Sequence, residues 1–299
     1  MKFNCKPLGS FSLSNQNQYF GGWPTLHAEQ NAVVMTFPVE GWEGSAAVAI
    51  QQSDDSHIAG QVYGSTTSPE KAWNQALECL SLDIDGEKWL EVGKRDAVIG
   101  NLQEKYLGLR PILFHSPYEA AAGFIIGHRI TLKQKQSLMK TMAEQLGEKI
   151  EIDGQVFHAF PRPQTILTLT AFKGLSPQKI ERLHGVAEAA LNGMLDRDTL
   201  RSMPITNALE QLKSLAGVGP FFAEGILFRG AGVVDEITND DLTPYAVQKA
   251  YQLAALPNRK ELLTIAESWK PYRMWATVLL HVWLRREVGL PSKRTFTGR

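Results

Sequence analysis

Two neighbouring acids and one glycine-framed turn are the residues of this chain whose types and spacing could do chemistry. Asp240 and Asp241 lie in Arg229-Gly-Ala-Gly-Val-Val-Asp-Glu-Ile-Thr-Asn-Asp-Asp-Leu-Thr-Pro-Tyr. A carboxylate with a reference pKa of about 3.9 is ionised at neutral pH. It can stabilise positive charge that develops in a reaction, or help activate water. Two loop acids are equally what ordinary capping near a helix N-terminus looks like. Thr243 reads as the cap and Pro244 as the first helical residue, which puts both acids at the helix entrance.

The turn is Leu212-Lys-Ser-Leu-Ala-Gly-Val-Gly-Pro-Phe-Phe-Ala. A helix with leucines at 209, 212 and 215 ends in Gly217-Val218-Gly219, and a second helix starts at Pro220. Two glycines around one apolar residue permit a tight connection, with Val218 tucked inward. The start of the second helix offers unpaired N–H groups and a positive dipole end. The glycines let a phosphate approach those amides. A plain helical hairpin with a glycine C-cap is the alternative reading.

The elements that must position these residues follow from pattern. Asn31–Pro38 and Ala46–Gln51 are rich in β-formers and bounded by Gly21-Gly22 and Asp54-Asp55, so they read as strands. Ser68-Pro69 caps a helix that runs to Leu82, and a second is read over 87–99. From residue 116 onward the chain reads as almost entirely helical. Ser116-Pro-Tyr-Glu119 has capping-box spacing, and Thr131–Leu146 is another helix. Pro161 and Pro163 make 157–164 a loop. Ser176-Pro177 opens a helix with Ile180, Leu183, Val186, Ala190 and Leu191 on its apolar face and Gly193 at C′. Further helices are read at 206–215, 220–229, 244–253, 259–268 and 271–287; in the last, Trp275, Val278, Leu279 and Val282 have core spacing. A composition shift puts a boundary near 100–115.

With 299 residues, 43% of them apolar and 21% charged, the chain is of ordinary globular composition and long enough for two domains. No apolar run reaches the ~18–20 residues of a membrane span, and the first residues lack a signal-peptide core. Two cysteines, Cys5 and Cys79, rule out a disulfide framework or a four-cysteine metal site and suit a reduced cytosolic compartment. The overall charge balances, but residues 1–100 carry 6 basic and 12 acidic side chains while the remainder carries 25 and 19. Arg273, Arg285, Arg286, Lys293, Arg294 and Arg299 face only Glu287 in the last stretch. A polyanionic partner therefore suits the second part better, unless that stretch is simply a solvated tail. The near-zero net charge predicts modest non-specific nucleic-acid binding with a shallow salt slope.

The order of motifs carries a resemblance. The Gly-Val-Gly hairpin, a glycine-rich loop, and Asp241 lying 22 residues after Gly219 resemble the helix–hairpin–helix DNA glycosylase superfamily. Trp269-Lys-Pro-Tyr-Arg-Met-Trp-Ala resembles that family's late helix start. Tyr118-Glu-Ala-Ala-Ala-Gly-Phe-Ile-Ile-Gly-His-Arg-Ile-Thr resembles its early block, and Phe160-Pro-Arg-Pro-Gln and Gly174-Leu…Lys179-Ile…Leu191-Asn-Gly match middle segments. The likeness covers about 107–288 and is nearest to the alkylated-base branch, the bacterial 3-methyladenine DNA glycosylase II enzymes.

The resemblance implies an α+β protein. Residues 1–100 would form a mixed domain with an antiparallel sheet, and 101–299 a two-lobed, all-helical core with the active-site cleft between its lobes. The implied function is monofunctional hydrolysis of the N-glycosidic bond of flipped alkylated purines, of 3-methyladenine and 7-methylguanine type, in base excision repair. The implied partner is damaged double-stranded DNA, met by a monomer in the bacterial cytoplasm at the nucleoid. Glycosylases for deaminated or oxidised purines, and a non-catalytic DNA-binding protein, are the alternatives.

The same resemblance makes Asp241 the catalytic carboxylate, with Asp240 the competing acid. Bifunctional relatives carry a lysine where this chain has Phe221, and a phenyl ring forms no Schiff base; Phe221 lines the base pocket or is core. Leu242, and either His281 or Trp283, fall at pocket positions, whereas Gly225 stands where close relatives carry a tyrosine. The amides of Gly217 and Gly219, with Val218, would meet the phosphate. Arg129 is the wedge that fills the vacated stack, with His128 as its neighbour, or else a helix-end charge. No cofactor is required; a sodium or potassium ion would sit on the main-chain carbonyls of Lys213, Leu215 and Val218.

Overall fold

The computed structural model describes residues 1–20, 23–26, 32–54 and 57–290. Gly21-Gly22, Asn31, Asp55, Lys293, Arg294 and Arg299, which entered the sequence reading, lie outside them. The chain divides into two units: Met1–Lys6 with Gly22–Asp83 and Ile112–Gly232, and Pro7–Gly21 with Ile84–Pro111 and Val233–Arg299. The division at residue 100 runs along the chain; this one is spatial, and each unit draws on both sides of it.

The first unit opens with a five-stranded antiparallel sheet: β1 (Lys2–Cys5), β2 (Thr25–Leu26), β3 (Ala32–Pro38), β4 (Ser45–Asp54) and β5 (His57–Gly64), in the order β1-β5-β4-β3-β2. β3 and β4 are the two strands legible in the sequence. Ala46 to Ile50 are all buried because both faces of the sheet are covered. On one face Val34, Ala47 and Ala49 pack with Ile150, Ile152 and Phe157. On the other, Trp73 of the Pro69–Cys79 helix stacks on Phe3 at 5.6 Å and fills the space over Gly60, where a Cβ would lie 2.4 Å from the ring. That space requirement puts glycine into β5 and breaks the alternation by which a strand is recognised.

Ile150, Ile152 and Phe157 belong to a hairpin, β6 (Lys149–Ile152) paired with β7 (Gln155–His158). It corrects the reading of an almost wholly helical second part and of residue 157 as loop. The apolar residues earn no helix here because they cover the sheet, and Asp153-Gly154 makes the turn with φ of +48° and +80°. Pro163 opens a short helix, Pro163–Leu167.

The Pro117–Gly127 helix is buried nearly all round and is the helical core of this unit. Ser116 Oγ accepts the Glu119 amide at 3.1 Å, but the Glu119 carboxylate pairs with His115 Nδ1 at 2.9 Å instead of closing the capping box. Against it pack Pro177–Leu191, whose Ile180, Leu183, Val186 and Ala190 are buried, and the π-helical segment Ile226–Ala231. Leu191, expected on the apolar face, is exposed, and Gly193 takes the left-handed C′ conformation at φ +77°.

In the second unit the expected helix over 87–99 is two, Glu87–Arg95 and Ala97–Lys105. Asp96 separates them: its Oδ1 accepts the amides of Val98 and Ile99, and its Oδ2 accepts Tyr251 Oη at 2.6 Å, Ser268 Oγ at 2.8 Å and Trp269 Nε1 at 3.1 Å. Arg110, fully buried, lies over the rings of Phe11 and Trp275 and donates to the carbonyls of Leu8, Ser10 and Ile84. The last helix, Arg273–Trp283, buries Trp275, Val278, Leu279 and Val282 as their spacing predicts.

Candidate functional site

In the first unit, the Ile205–Lys213 helix ends three residues before a tight turn, and Pro220–Gly225 follows. Val218 is buried, and its amide donates to the Leu215 carbonyl at 3.0 Å, so the turn is pinned as the spacing predicted. That carbonyl keeps a second lone pair. Gly219 is extended, and a Cβ there would meet open space. Gly217 sits at φ +86°, and a Cβ there would come within 2.7 Å of Arg182 Cδ. The glycine at 217 thus admits a side chain of this protein: Arg182, from the Pro177–Leu191 helix, lies across the hairpin. Its role went unread because nothing in the spacing of 182 and 217 announces the contact.

The early block closes the Pro117–Gly127 helix at the same unit's surface. His128 is the C-cap residue and Arg129 follows with φ +58°. The Ile130 amide returns to the Gly127 carbonyl, and Thr131 starts the Leu132–Leu146 helix with a complete capping box. The left-handed residue between two fixed helix ends carries an exposed guanidinium.

Phe221 is 53% exposed, which removes the core reading. It belongs to a group of rings: Phe124 lies 6.5 Å from Phe221 edge-on and 4.9 Å from Phe222 in a stack, Phe114 lies 5.9 Å from Phe124, and His128 meets Phe222 edge-on at 5.8 Å. The missing side chain at Gly225 is explained here, since a Cβ would lie 2.4 Å from Phe124 Cζ. An aromatic ring from the early block occupies the space in front of Gly225. The residue that fills the place of the relatives' tyrosine side chain is 101 positions away.

The acidic loop belongs to the second unit. The helix starts at Leu242, one residue before the expected cap Thr243. The capping is done by Asp240: Oδ1 accepts the amides of Leu242 and Thr243, both at 2.7 Å, and Oδ2 accepts the Thr243 hydroxyl at 2.9 Å. Thr243 is fully buried and its hydroxyl also meets His281 Nε2 at 3.0 Å. A hydroxyl has one hydrogen. With that hydrogen on the Asp240 carboxylate, His281 Nε2 is the donor, which fixes the ring's tautomer. Asp241 makes no side-chain capping bond and is exposed. The two acids are therefore separated by their surroundings. Leu242 is half-buried beside them.

His281 stands on the side of the acidic loop. Two residues on, about 200° around the helix, half-buried Trp283 points elsewhere. The loop is anchored from the late motif, where Arg273 Nε donates to Asp235 Oδ1 at 2.8 Å and the Met274 amide to the Val234 carbonyl at 2.9 Å, and from the Arg259–Ile265 helix, where Arg259 donates to the Ile237 carbonyl at 3.0 Å. The Trp-Lys-Pro-Tyr-Arg run is thus a frame: Trp269 holds Asp96, Tyr272 donates to the Asp85 carbonyl, and Arg273 fixes the loop. Among the described residues no cluster of three or more His, Cys, Asp or Glu side chains is arranged for a metal, and no helix is long and apolar enough to cross a membrane.

No family model matches the chain. It is 28% identical over 208 residues to the DNA-3-methyladenine glycosylase of Bacillus subtilis, covering 68% of this chain and 69% of that protein. In structure it is similar to the 3-methyladenine DNA-glycosylase from Archaeoglobus fulgidus, with a TM-score of 0.73 at 19% identity over 95% of this chain and 97% of that one. It is also similar to the Clostridium acetobutylicum 8-oxoguanine glycosylase/lyase in complex with double-stranded DNA, with a TM-score of 0.68 at 18% identity over 95% and 97%. The α+β fold is that of these DNA glycosylase structures, and the chain resembles the helix–hairpin–helix DNA glycosylases. The sequence relatives it matches are named for enzymes of the alkylated-base branch.

Proposed function

We propose that this protein is a monofunctional DNA glycosylase that hydrolyses the N-glycosidic bond of flipped, alkylated purines in double-stranded DNA, acting as a monomer in base excision repair. One observation carries the reading: of two adjacent acids, Asp240 spends its carboxylate on a helix cap and leaves Asp241 exposed and uncommitted.

The hairpin amides of Gly217 and Gly219 and the Arg182 guanidinium take the DNA backbone, contacts that position without reading sequence. Arg129 fills the stack left by the extruded nucleotide; a planar guanidinium stacks and also pairs with phosphate. Unstacking costs a few kcal/mol and least for a damaged base, which supplies part of the selectivity. The exposed ring of Phe221 and its neighbours stack the base. As the glycosidic bond lengthens, electrons leave with the base and positive charge develops on the sugar. The Asp241 carboxylate stabilises that charge and orients the water that attacks. A purine already cationic through alkylation leaves without a general acid. His281, whose Nε2–H is held by Thr243, flanks the site as a fixed wall. Phe221 supplies no amine, so strand cleavage does not accompany base release. A monovalent cation on the carbonyls of Lys213, Leu215 and Val218 would add positive charge behind the phosphate.

The test is base release from duplexes carrying 7-methylguanine, hypoxanthine or 8-oxoguanine. Release of the methylated base, with nicking only after heat or alkali, is expected. Release of hypoxanthine or 8-oxoguanine alone would move the activity to deaminated or oxidised purines. Duplex binding with no release would leave a DNA-binding protein, and direct nicking would overturn the monofunctional assignment.

A further inference from the structure

The ring group around Phe124 has a property the activity does not require. Phe114, Phe124, Phe221 and Phe222 contact one another, yet none of the four is buried. A cluster of phenyl rings left at a surface marks a place that receives something. Phe124 sits against Gly225, in the space a side chain there would need. It already has a cation beside it: Lys135 Nζ lies 5.5 Å from the ring centroids of both Phe114 and Phe124, inside cation–π range. The lysine is hemmed in. A Cβ at Gly123 would come within 3.2 Å of its Nζ and one at Gly127 within 2.8 Å of its Cδ, so two glycines make room for its stem. Burial holds the Lys135 ammonium below the ordinary lysine range, with Glu119 pulling the other way.

The electron-rich face of an aromatic ring is what attracts a cationic base. Here a resident ammonium already draws on two of the rings. With Phe124 to Phe221 at 6.5 Å, that ammonium is at most about 12 Å from the ring on which a base would stack, a separation at which like charges still repel in partly desolvated surroundings. A neutral purine stacks on the same rings without that repulsion.

We infer that Phe124 is part of the base-stacking wall and that Lys135 weakens that wall's preference for cationic purines, so that neutral modified purines are released beside the alkylated ones. The inference rests on the proposed glycosylase activity and deepens it by setting how wide its range of purines is.

The experiment is single-turnover release of 7-methylguanine, a cationic base, and of hypoxanthine, a neutral one, from matched duplexes, read as the ratio of the two rates. Lys135→Met is expected to raise the 7-methylguanine to hypoxanthine ratio about three- to tenfold, while Lys135→Arg holds it within about twofold of the parent protein because the charge persists. Phe124→Leu is expected to slow both releases about tenfold without moving the ratio much. Lys135→Gln repeats the charge removal should the methionine variant not fold. An unchanged ratio in both neutral variants, with parental activity intact, overturns the charge assignment alone. Absence of release of either base by the parent protein, when it binds the duplexes, overturns the glycosylase reading and this inference with it.

Discussion

Asp240 and Thr243 are joined twice, backbone amide to Oδ1 at 2.7 Å and hydroxyl to Oδ2 at 2.9 Å. The double bond of contacts turns the first acid of the pair inward and fixes the backbone from which the second projects. Asp241→Asn is expected to keep lesion-DNA affinity and lower base release on the order of 10²–10³-fold, the usual loss when a transition-state charge partner is removed. Asp240→Ala is expected to destabilise the fold by about 1 kcal/mol through the lost cap and to slow release less. Release rates and thermal melts of the two variants check this, and a larger rate loss at 240 than at 241 would reverse the assignment of the acids.

Arg182 crossing Gly217 makes the hairpin a composite of backbone and side chain. Arg182→Ala is expected to weaken binding to all duplexes alike and to reduce the slope of log affinity against log salt by about 1. Gly217→Ala meets both a left-handed backbone and the Arg182 side chain, so it is expected to weaken binding further. Fluorescence anisotropy across a salt series measures both effects; an unaltered slope in Arg182→Ala would place the guanidinium off the DNA.

Glu40 is buried 3.9 Å from Arg197, which is closer to Glu78 at 3.1 Å. Burial outweighs the arginine's attraction and pushes the Glu40 carboxyl up from 4.5 to about 7. The folded state therefore holds this proton more tightly than the unfolded chain. The stabilisation is complete below about pH 4.5 and is lost as pH rises to about 7, on the order of 3 kcal/mol in all at 1.36 kcal/mol per unit. Burial raises Glu78 in the same direction. Denaturant midpoints measured from pH 5 to pH 8 are expected to fall, and Glu40→Gln to flatten the fall.

Asp96 joins Tyr251, Ser268, Trp269 and the first turn of the Ala97–Lys105 helix. Asp96→Ala leaves several buried donors unpaired and is expected to cost at least about 3 kcal/mol. Chemical denaturation checks it; a cost under about 1 kcal/mol would mean that water replaces the carboxylate readily.

The parts of this molecule legible in its sequence are those written locally. The Gly217-Val218-Gly219 turn, the inward face of Trp275 and Leu279 and the glycine at 193 follow from spacing within a few residues. What escaped depends on partners far along the chain. β5 carries Gly60 because Trp73 needs the room. The 149–158 hairpin was hidden among helices although Asp153-Gly154 announced it, because its apolar residues answer to the sheet. Phe124 in front of Gly225, Arg182 over Gly217 and the His281–Thr243–Asp240 chain join residues whose sequence separation gives no periodic signal.

The order in which the two units draw on the chain has a consequence for biosynthesis. Everything assigned to the first unit, hairpin included, has left the ribosome once Gly232 emerges, whereas the second collects Pro7–Gly21 and Ile84–Pro111 and must wait for Val233 onward. On the proposed assignment, a nascent chain stalled at that point carries the hairpin that would grip a strand before it carries Asp241, which would release the base.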